Sequence, residues 1–294
     1  MKLVVSLLVH EQEEVIFDQI RNFKCFVPDV SILLHISSEL HRRAPGITQR
    51  LSAESGVIVN PVSLETLWAD GSQAEAHIAN IRYIIGSGMK IDGCIFHASN
   101  DLFVREGVID YLKGQNAACT QREIKKISKW YWSQHVNRDK SLHFLASKLG
   151  TKPVWSEIEG SFYSTEVLAH VLKVLDDYSG TLMEKGLRRL PSFIRRRRRI
   201  RNAFKGVFYP REETLFPTLA KPFIEKRVGP YCLLKLDTND PVTITDVDRM
   251  REGKFDSTST VPRKFFVLKR INRQLNDPVR CYIRNIVELN SKKS

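Results

Sequence analysis

Residues Lys2 to Val9 read KLVVSLLV, an apolar run broken only by Ser6. A strand with one wet face alternates apolar and polar side chains. A strand apolar throughout is buried on both faces, which is the setting of inner strands in a parallel sheet covered by helices. The run meets His10 and Glu11 at once and carries no small-residue cleavage site, so it reads as a first strand rather than a signal peptide.

The next segments keep that rhythm. His10-Glu11-Gln12-Glu13-Glu14 opens a helical pattern with Val15, Ile16, Ile20 and Phe23 on one face. Ser31 to Ile36 is a second strand and Val57 to Val59 a third. Trp68-Ala69-Asp70-Gly71-Ser72 is a turn before a helix from Gln73 to Ile85. Asp92 to His97 is a fourth strand, ending in Ala98-Ser99-Asn100-Asp101, and Glu106 to Leu112 is a short helix. Alternation of this kind predicts an α/β fold with a mostly parallel central sheet flanked by helices. In such sheets ligands bind beyond the carboxyl ends of the strands. The polar residues expected there are His10, Ser37, Ser38, Asp70, Ser72, Asn100 and Asp101.

The later chain is less regular. Glu159-Gly160-Ser161-Phe162-Tyr163 reads as a turn and strand, followed by a helix from Thr165 to Leu175. Tyr231 to Leu236 and Phe265 to Arg270 read as strands, Thr245 to Met250 as a helix capped by Thr245 or Asp246, and Arg280 to Leu289 as an amphipathic basic tail. Lys125, Lys126, Lys129, Trp130, Trp132, His135, Arg138 and Lys140 interleave basic and aromatic side chains. That pattern suits stacking on bases or sugar rings, and equally a helix with an aromatic inner face. No repeat or low-complexity linker divides the chain. One domain over 1–294 is expected, in a first half (1–112) and a second half (113–294).

The net charge of +13 points to an anionic partner. Six of those charges are Arg195, Arg196, Arg197, Arg198, Arg199 and Arg201. They suit an anionic membrane surface, a diphosphate, nucleic acid or nothing but solvent. The five cysteines are scattered and never spaced as a C-x-x-C pair, which argues against a disulfide scaffold or zinc site and for a reducing cytoplasm. No apolar run approaches the roughly eighteen residues of a membrane span.

No Walker phosphate loop, G-x-G-x-x-G, H-E-x-x-H or G-x-S-x-G occurs. The sole Asp-x-Asp is Asp246-Val247-Asp248, at a helix start where capping explains it. A diphosphate would then be neutralised by side chains, with Lys269 and Arg270, or Arg263 and Lys264, at hand. One stretch offers a base. In Tyr209-Pro210-Arg211-Glu212-Glu213-Thr214-Leu215-Phe216, proline presets a helix start, two carboxylates follow, and an apolar run anchors them. Taken alone, it is an acidic helix start.

In their order these segments resemble the core-2/I-branching N-acetylglucosaminyltransferases and their xylosyltransferase relatives, bacterial members included. The first strand with Val9-His10 resembles the family's opening strand and histidine. Leu34-His35-Ile36-Ser37 resembles its His-x-Asp, with Ser37 in place of Asp. Trp68-Ala69-Asp70-Gly71-Ser72 resembles Trp-Gly-Gly-x-Ser, and His97-Ala98-Ser99-Asn100-Asp101-Leu102-Phe103 resembles Leu-Ser-Gly-Gln-Asp-Tyr-Pro. Gly160-Ser161-Phe162-Tyr163 is similar to Gly-Ser-x-Tyr/Trp beside the acceptor. Glu212 to Thr218 resembles Asp-Glu-x-x-Phe/Trp-x-Thr, and Phe266-Val267-Leu268-Lys269-Arg270 resembles Phe-Ala-Arg/Asn-Lys-Phe.

The resemblance implies a GT-A-like fold and an inverting glycosyltransferase that uses no metal or other cofactor. Its donor would be a nucleotide sugar, UDP-GlcNAc-like or UDP-Xyl-like. It implies a nucleotide-sugar-binding half (1–112), an acceptor-binding and catalytic half (113–294), and Glu213 as catalytic base. Donor and diphosphate contacts fall on His10, Ser37, Asp70, Ser72, Asp101, Lys269 and Arg270, and acceptor contacts on Glu159, Ser161, Tyr163 and Glu212. The expected setting is bacterial surface polysaccharide synthesis, cytoplasmic and peripheral at the inner membrane, with a glycan acceptor that can be lipid-linked. Two alternatives stand beside it. One is a metal-dependent glycosyltransferase using Asp246 and Asp248, or Asp101. The other is a basic nucleic-acid-binding protein, against which the strand order and the missing RNA-binding motifs count.

Overall fold

The structure, a computed structural model, describes residues 1–124, 131–178, 208–233, 241–258 and 261–292, with position 194. In chain order the elements are β1 (Leu3–Val9), α1 (Glu13–Phe26), β2 (Ser31–Ile36), α2 (Ser38–Arg43), α3 (Ile47–Ser52), β3 (Val57–Val59), α4 (Ser72–Gly86) and β4 (Gly93–Ala98). Then come β5 (Leu102–Phe103), α5 (Val108–Leu112), β6 (Ala117–Ala118), β7 (Arg122–Glu123), α6 (Ser133–Val136), α7 (Lys140–Lys148), β8 (Val154–Trp155), β9 (Ser161–Ser164) and α8 (Thr165–Asp176). The last set is α9 (Glu212–Ala220), β10 (Arg227–Val228), β11 (Cys232–Leu233), α10 (Ile244–Arg251), β12 (Val267–Leu268) and α11 (Pro278–Ser291).

Seven strands form the central sheet in the order β10-β6-β9-β4-β1-β2-β3. β1 pairs in parallel with β2 and β4, and β2 with β3, while β9 runs antiparallel between β4 and β6. The mostly parallel α/β fold expected from the alternation is therefore present. Along β1 the side chains sort by parity, as the pleat requires. Leu3, Val5, Leu7 and Val9 join one apolar cluster with Ile16, Ile20 and Phe23 of α1 and Ile283 and Ile286 of α11. Val4 joins the other, with Ala74, Ile78 and Ile81 of α4, Val167 of α8, and Leu215 and Phe216 of α9. Helices thus cover both faces, which is why β1 tolerates no polar alternation. Its one polar residue, Ser6, is bonded to His77 of α4 (2.7 Å) and accepts from Asn80 (2.9 Å).

The chain winds from β1 through β2 to β3, then returns to the other side of β1 for β4. The order reverses between β1 and β4, a topological switch point, and their carboxyl ends leave a crevice there. A second sheet, β11-β12-β5, stands beside that crevice and carries residue 269 off the end of β12.

Several expected boundaries shift. The strand expected over 265–270 is only β12, because pairing stops at Lys269 and Arg270 turns to φ 66. Gly107 at φ 100 delays the helix expected from Glu106 until Val108. The cap of α10 is Thr243, neither Thr245 nor Asp246. Its hydroxyl accepts from Asp246 N (3.2 Å) while Asp246 Oδ2 accepts from Thr243 N (2.9 Å), a reciprocal capping box. Lys125, Lys126, Lys129, Trp130, residues 234–236 and the arginines at 195–199 and 201 lie outside the described residues. No helix among the described residues is long and apolar enough to cross a membrane.

Candidate active site

A cleft of about 710 Å³ opens at the switch point. β1 contributes His10 and Glu11 just past its end, and the turn after β4 contributes Ala98, Ser99 and Asn100. The β2 end brings Ser37, the turn before α4 brings Trp68 and Asp70, and Glu159 precedes β9. Pro210, Glu212 and Glu213 come from the start of α9, and Lys269, Arg270 and Arg273 follow β12. Nine of the twelve residues given site roles by the resemblance therefore meet, or nearly so: His10, Ser37, Asp70, Glu159, Glu212, Glu213, Lys269 and Arg270 line the cleft, and Ser72 lies behind Asp70.

Glu212 and Glu213 open α9, where the helix dipole favours negative charge. Burial opposes it and prevails. Glu212 is 4 % exposed, its Oε2 has no hydrogen-bond partner among the described residues, and burial pushes its carboxyl up to about 8. Nearby Glu159 and Asp70 add to the rise, and its own backbone N–H and Lys269 oppose it. Glu213, part-exposed to the cleft, is also raised well above the carboxylate range, by burial and then by Glu159, with Lys269 opposing.

This has a consequence for stability. Between about pH 4.5 and 8 the unfolded Glu212 has released its proton and the folded one keeps it, so stability falls as pH rises through that window. The loss is on the order of a few kcal/mol. Glu212→Gln, which cannot ionise, is expected to flatten the slope, read from urea unfolding at pH 5 and pH 8. Parallel slopes in the two proteins would show that Glu212 is not held neutral.

The helix start is fixed from below. Arg211, 5 % exposed, pairs with buried Asp139 (3.1 Å) and donates to Ser141. Tyr209 donates to Asp139 Oδ2 (2.7 Å), and Thr214 donates to Tyr209 (3.2 Å). Asp139 also caps α7 through Leu142 N (2.9 Å). Thr218 donates to Val154 O and accepts from Val154 N, docking α9 on β8 (3.1 and 3.0 Å).

Across the cleft Lys269 pairs with Glu159. Burial works against the ammonium, but Glu159, Asp101 and Glu213 outweigh it and hold Lys269 charged well above the ordinary lysine range. Glu159 is placed by Gly160, whose φ is 72 and where an added Cβ would lie 2.3 Å from Cys232 N. A second cluster closes the far end. Glu11 Oε1 meets His10 (3.0 Å) and Arg273 (2.7 Å) and accepts from Ser99 (3.0 Å), while Arg43 donates to the His10 carbonyl (2.8 Å). Burial alone would raise Glu11, but His10, Arg273 and Ser99 together hold it below its usual value. Two cleft-side residues take left-handed backbone without being glycine, Ala69 (φ 53) and Arg270 (φ 66), and such strain collects at functional sites.

Three expected residues do not reach the cleft. Asp101 is wholly buried. Its Oδ2 accepts from Ala98 N (3.1 Å) and pairs with His97 (3.0 Å), whose other nitrogen meets Tyr231 (2.8 Å), so it braces the turn after β4 from beneath. Ser161 and Tyr163 point into the core along β9. Ser37 lines the cleft, but its hydroxyl is engaged as the cap of α2, accepting from Leu40 N (3.2 Å). Asp70 accepts from Ser72 N (3.0 Å) and from the Ser72 hydroxyl. Asp246 and Asp248 of α10 do not line the cleft, since Asp246 caps and Asp248 accepts from Tyr282 (2.7 Å). Among the described residues no three His, Cys, Asp or Glu side chains are grouped to hold a metal ion. Sequence reasoning missed Glu11, Arg43, Arg273 and Trp68 as cleft residues. Glu11 and Arg273 stand within three positions of residues it did single out.

No known protein-family profile matches the chain, and no curated protein sequence does. Solved structures do overlap it weakly. The galactosyltransferase LgtC in complex with donor and acceptor sugar analogs gives a TM-score of 0.41 at 11% identity, covering 99% of this chain and 96% of that one. An active-site mutant of LgtC gives 0.39 at 10%, covering 100% and 96%. The apo-form glycosyltransferase GlyE of Streptococcus pneumoniae gives 0.41 at 10%, covering 100% and 63%. At so low an overlap these neighbours say nothing about reaction or substrate here.

Proposed function

We propose that the chain is a glycosyltransferase. It moves a sugar from a nucleotide-sugar donor to a hydroxyl of a glycan acceptor, by one inverting displacement and without a metal ion. One observation carries this: the carboxylate pair that opens α9 and the Lys269 ammonium line one cleft at the switch point of a parallel sheet, near enough for Glu213 and Lys269 to perturb each other. A base and a leaving-group cation in one cleft are what a displacement at an anomeric carbon needs.

In this scheme Glu213 takes the proton of the acceptor hydroxyl as that oxygen bonds to the anomeric carbon. The bond from that carbon to the diphosphate breaks, and its electron pair leaves with the nucleoside diphosphate. Lys269, kept protonated by Glu159, offsets the charge that develops there. Arg270 and Arg273 supply further positive charge, His10 and Asp70 contact the donor, and Glu212 and Glu159 orient the acceptor. Asp101, Ser161 and Tyr163, buried and outside the cleft lining, are given no direct substrate contact in this scheme. The donor class, a UDP-sugar, rests on the resemblance, as do a surface-polysaccharide setting, a lipid-linked acceptor and docking of the six arginines on an anionic membrane.

The deciding experiment is transfer from a panel of nucleotide sugars in excess EDTA, with the product's anomeric configuration read by proton NMR. Inversion with activity intact supports the scheme. Activity lost to EDTA and restored by a divalent ion contradicts metal independence, and a retained configuration contradicts the single displacement.

A further inference from the structure

Arg270 and Arg273 reach the cleft from an irregular stretch, residues 269–277, that joins β12 to α11. Its first residue still belongs to the sheet, since Lys269 N donates to Leu233 O (3.1 Å). Beyond that no ladder holds it, and backbone polar groups without a ladder need other partners. Two arginines of α11, one turn apart, reach back to supply them. Arg280 donates through Nε to the Asn272 carbonyl (2.7 Å), and Arg284 through Nη2 to the Leu275 carbonyl (2.8 Å). Asp18 of α1 holds both guanidiniums, Arg280 Nη1 on Oδ2 and Arg284 Nε on Oδ1 (3.1 Å). Arg273 itself pairs with Glu11, just before α1 (2.7 Å). The stretch is thus strapped to α1 twice, by Arg273 beside the helix start and through Arg280 and Arg284 near its middle.

Arg280 is the costly member of this strap. It is wholly buried, and its Nη2 has no hydrogen-bond partner among the described residues. A buried ion pair is often no more stabilising than apolar side chains of similar volume. Packing α11 against α1 therefore does not call for a guanidinium, and Ile283 and Ile286 of α11 already join the apolar cluster there. What an apolar side chain could not do is bond a loop carbonyl while a carboxylate holds it in place.

We infer that Asp18, Arg280 and Arg284 are positioning residues for the two arginines of the cleft. They touch no substrate. They fix the backbone from which Arg270 and Arg273 project, so that both cations are in place before an anion arrives. The carbonyl that Arg280 holds belongs to the residue immediately before Arg273, so a shift there passes directly to Arg273. Arg270 stands two residues away at φ 66, a conformation that its surroundings must hold. The identity of the anion, the diphosphate of a nucleotide sugar, rests on the function proposed above.

The test is a double-mutant cycle read on binding. Arg280→Met removes the guanidinium, keeps an apolar chain of comparable length, and leaves Asp18 paired with Arg284. UDP, CDP, GDP, ADP and inorganic pyrophosphate are titrated by calorimetry, at fixed ionic strength, into wild type, Arg280→Met, Arg270→Ala/Arg273→Ala and the triple variant. Removal of both cleft arginines is expected to weaken the best-bound diphosphate about ten-fold or more, and Arg280→Met about five-fold. Without the two arginines, Arg280→Met should change nothing further, because the groups it positions are gone. An equal loss in both backgrounds would show a purely structural role and overturn the inference. So would wild-type affinity in Arg280→Met, or a wild type that binds none of these diphosphates. If Arg280→Met does not fold, Arg284→Met carries the same cycle, since it severs the Leu275 bond and leaves Arg280 paired with Asp18. In transfer assays Arg280→Met should raise the donor KM and leave the acceptor KM unchanged. The expected cycle without transfer from any nucleotide sugar would sink the transferase and leave the strap. Transfer with an unchanged donor KM in Arg280→Met would sink the strap and leave the transferase.

Discussion

Glu213→Gln is expected to lower the turnover number by about 100- to 10,000-fold, the range a positioned general base contributes, while nucleoside diphosphate binding persists. Glutamine keeps the size and the hydrogen-bonding edge of the side chain and removes only its capacity to take a proton. The fold should not suffer, because burial already favours the neutral form of Glu213. The same burial sets the pH profile. Only the ionised carboxylate is a base, so kcat/KM should rise with pH through the raised ionisation of Glu213 and level off above it. Glu159, Glu212 and Glu157 all push that ionisation upward. Glu213→Gln with near-normal turnover would show that the base lies elsewhere.

Asp139→Ala is expected to cost about 3–5 kcal/mol of stability, the loss seen when one partner of a buried ion pair is removed. Asp139 is 3% exposed and serves three partners at once: Arg211, the Tyr209 hydroxyl and the first turn of α7. Without it the Arg211 guanidinium stays buried without its carboxylate, and α7 loses its cap. Asp139→Asn keeps size and cap but not charge, so it should fall between the two. Arg211 immediately precedes Glu212, so the loosened helix start should also depress turnover in whatever fraction remains folded. Urea unfolding measures the first effect. A midpoint equal to that of wild type would mean the network does not support α9.

The parallel core was legible because burial on both faces leaves a mark inside one segment: β1, β2 and β4 are apolar but for Ser6, Ser31, His35 and His97, and the helices between them keep one apolar stripe. The cleft was legible for a related reason, since strand carboxyl ends are where polar residues collect, and His10, Ser37 and Asn100 were found from that alone. Two-residue strands such as β5, β11 and β12 hold too few residues for any period, and their pairing is set by partners far along the chain. Asp101 misled for a physical reason. A carboxylate after a strand looks like a ligand, but its partners are His97 and a backbone N–H within its own turn. Trp68 and Trp132 stand far apart in sequence, and neither residue's neighbours announce that their rings meet.

The central claim is that this cleft holds a nucleoside diphosphate sugar against Lys269. The most direct measurement is the melting temperature of wild type and Lys269→Ala in the presence of UDP-, GDP-, CDP- and ADP-sugars, their free diphosphates, and single-stranded oligonucleotides. At least one nucleotide sugar, and its diphosphate, should raise the wild-type melting temperature, and the shift should vanish in Lys269→Ala. Stabilisation by oligonucleotides alone, or a nucleotide shift of equal size in both proteins, would contradict it.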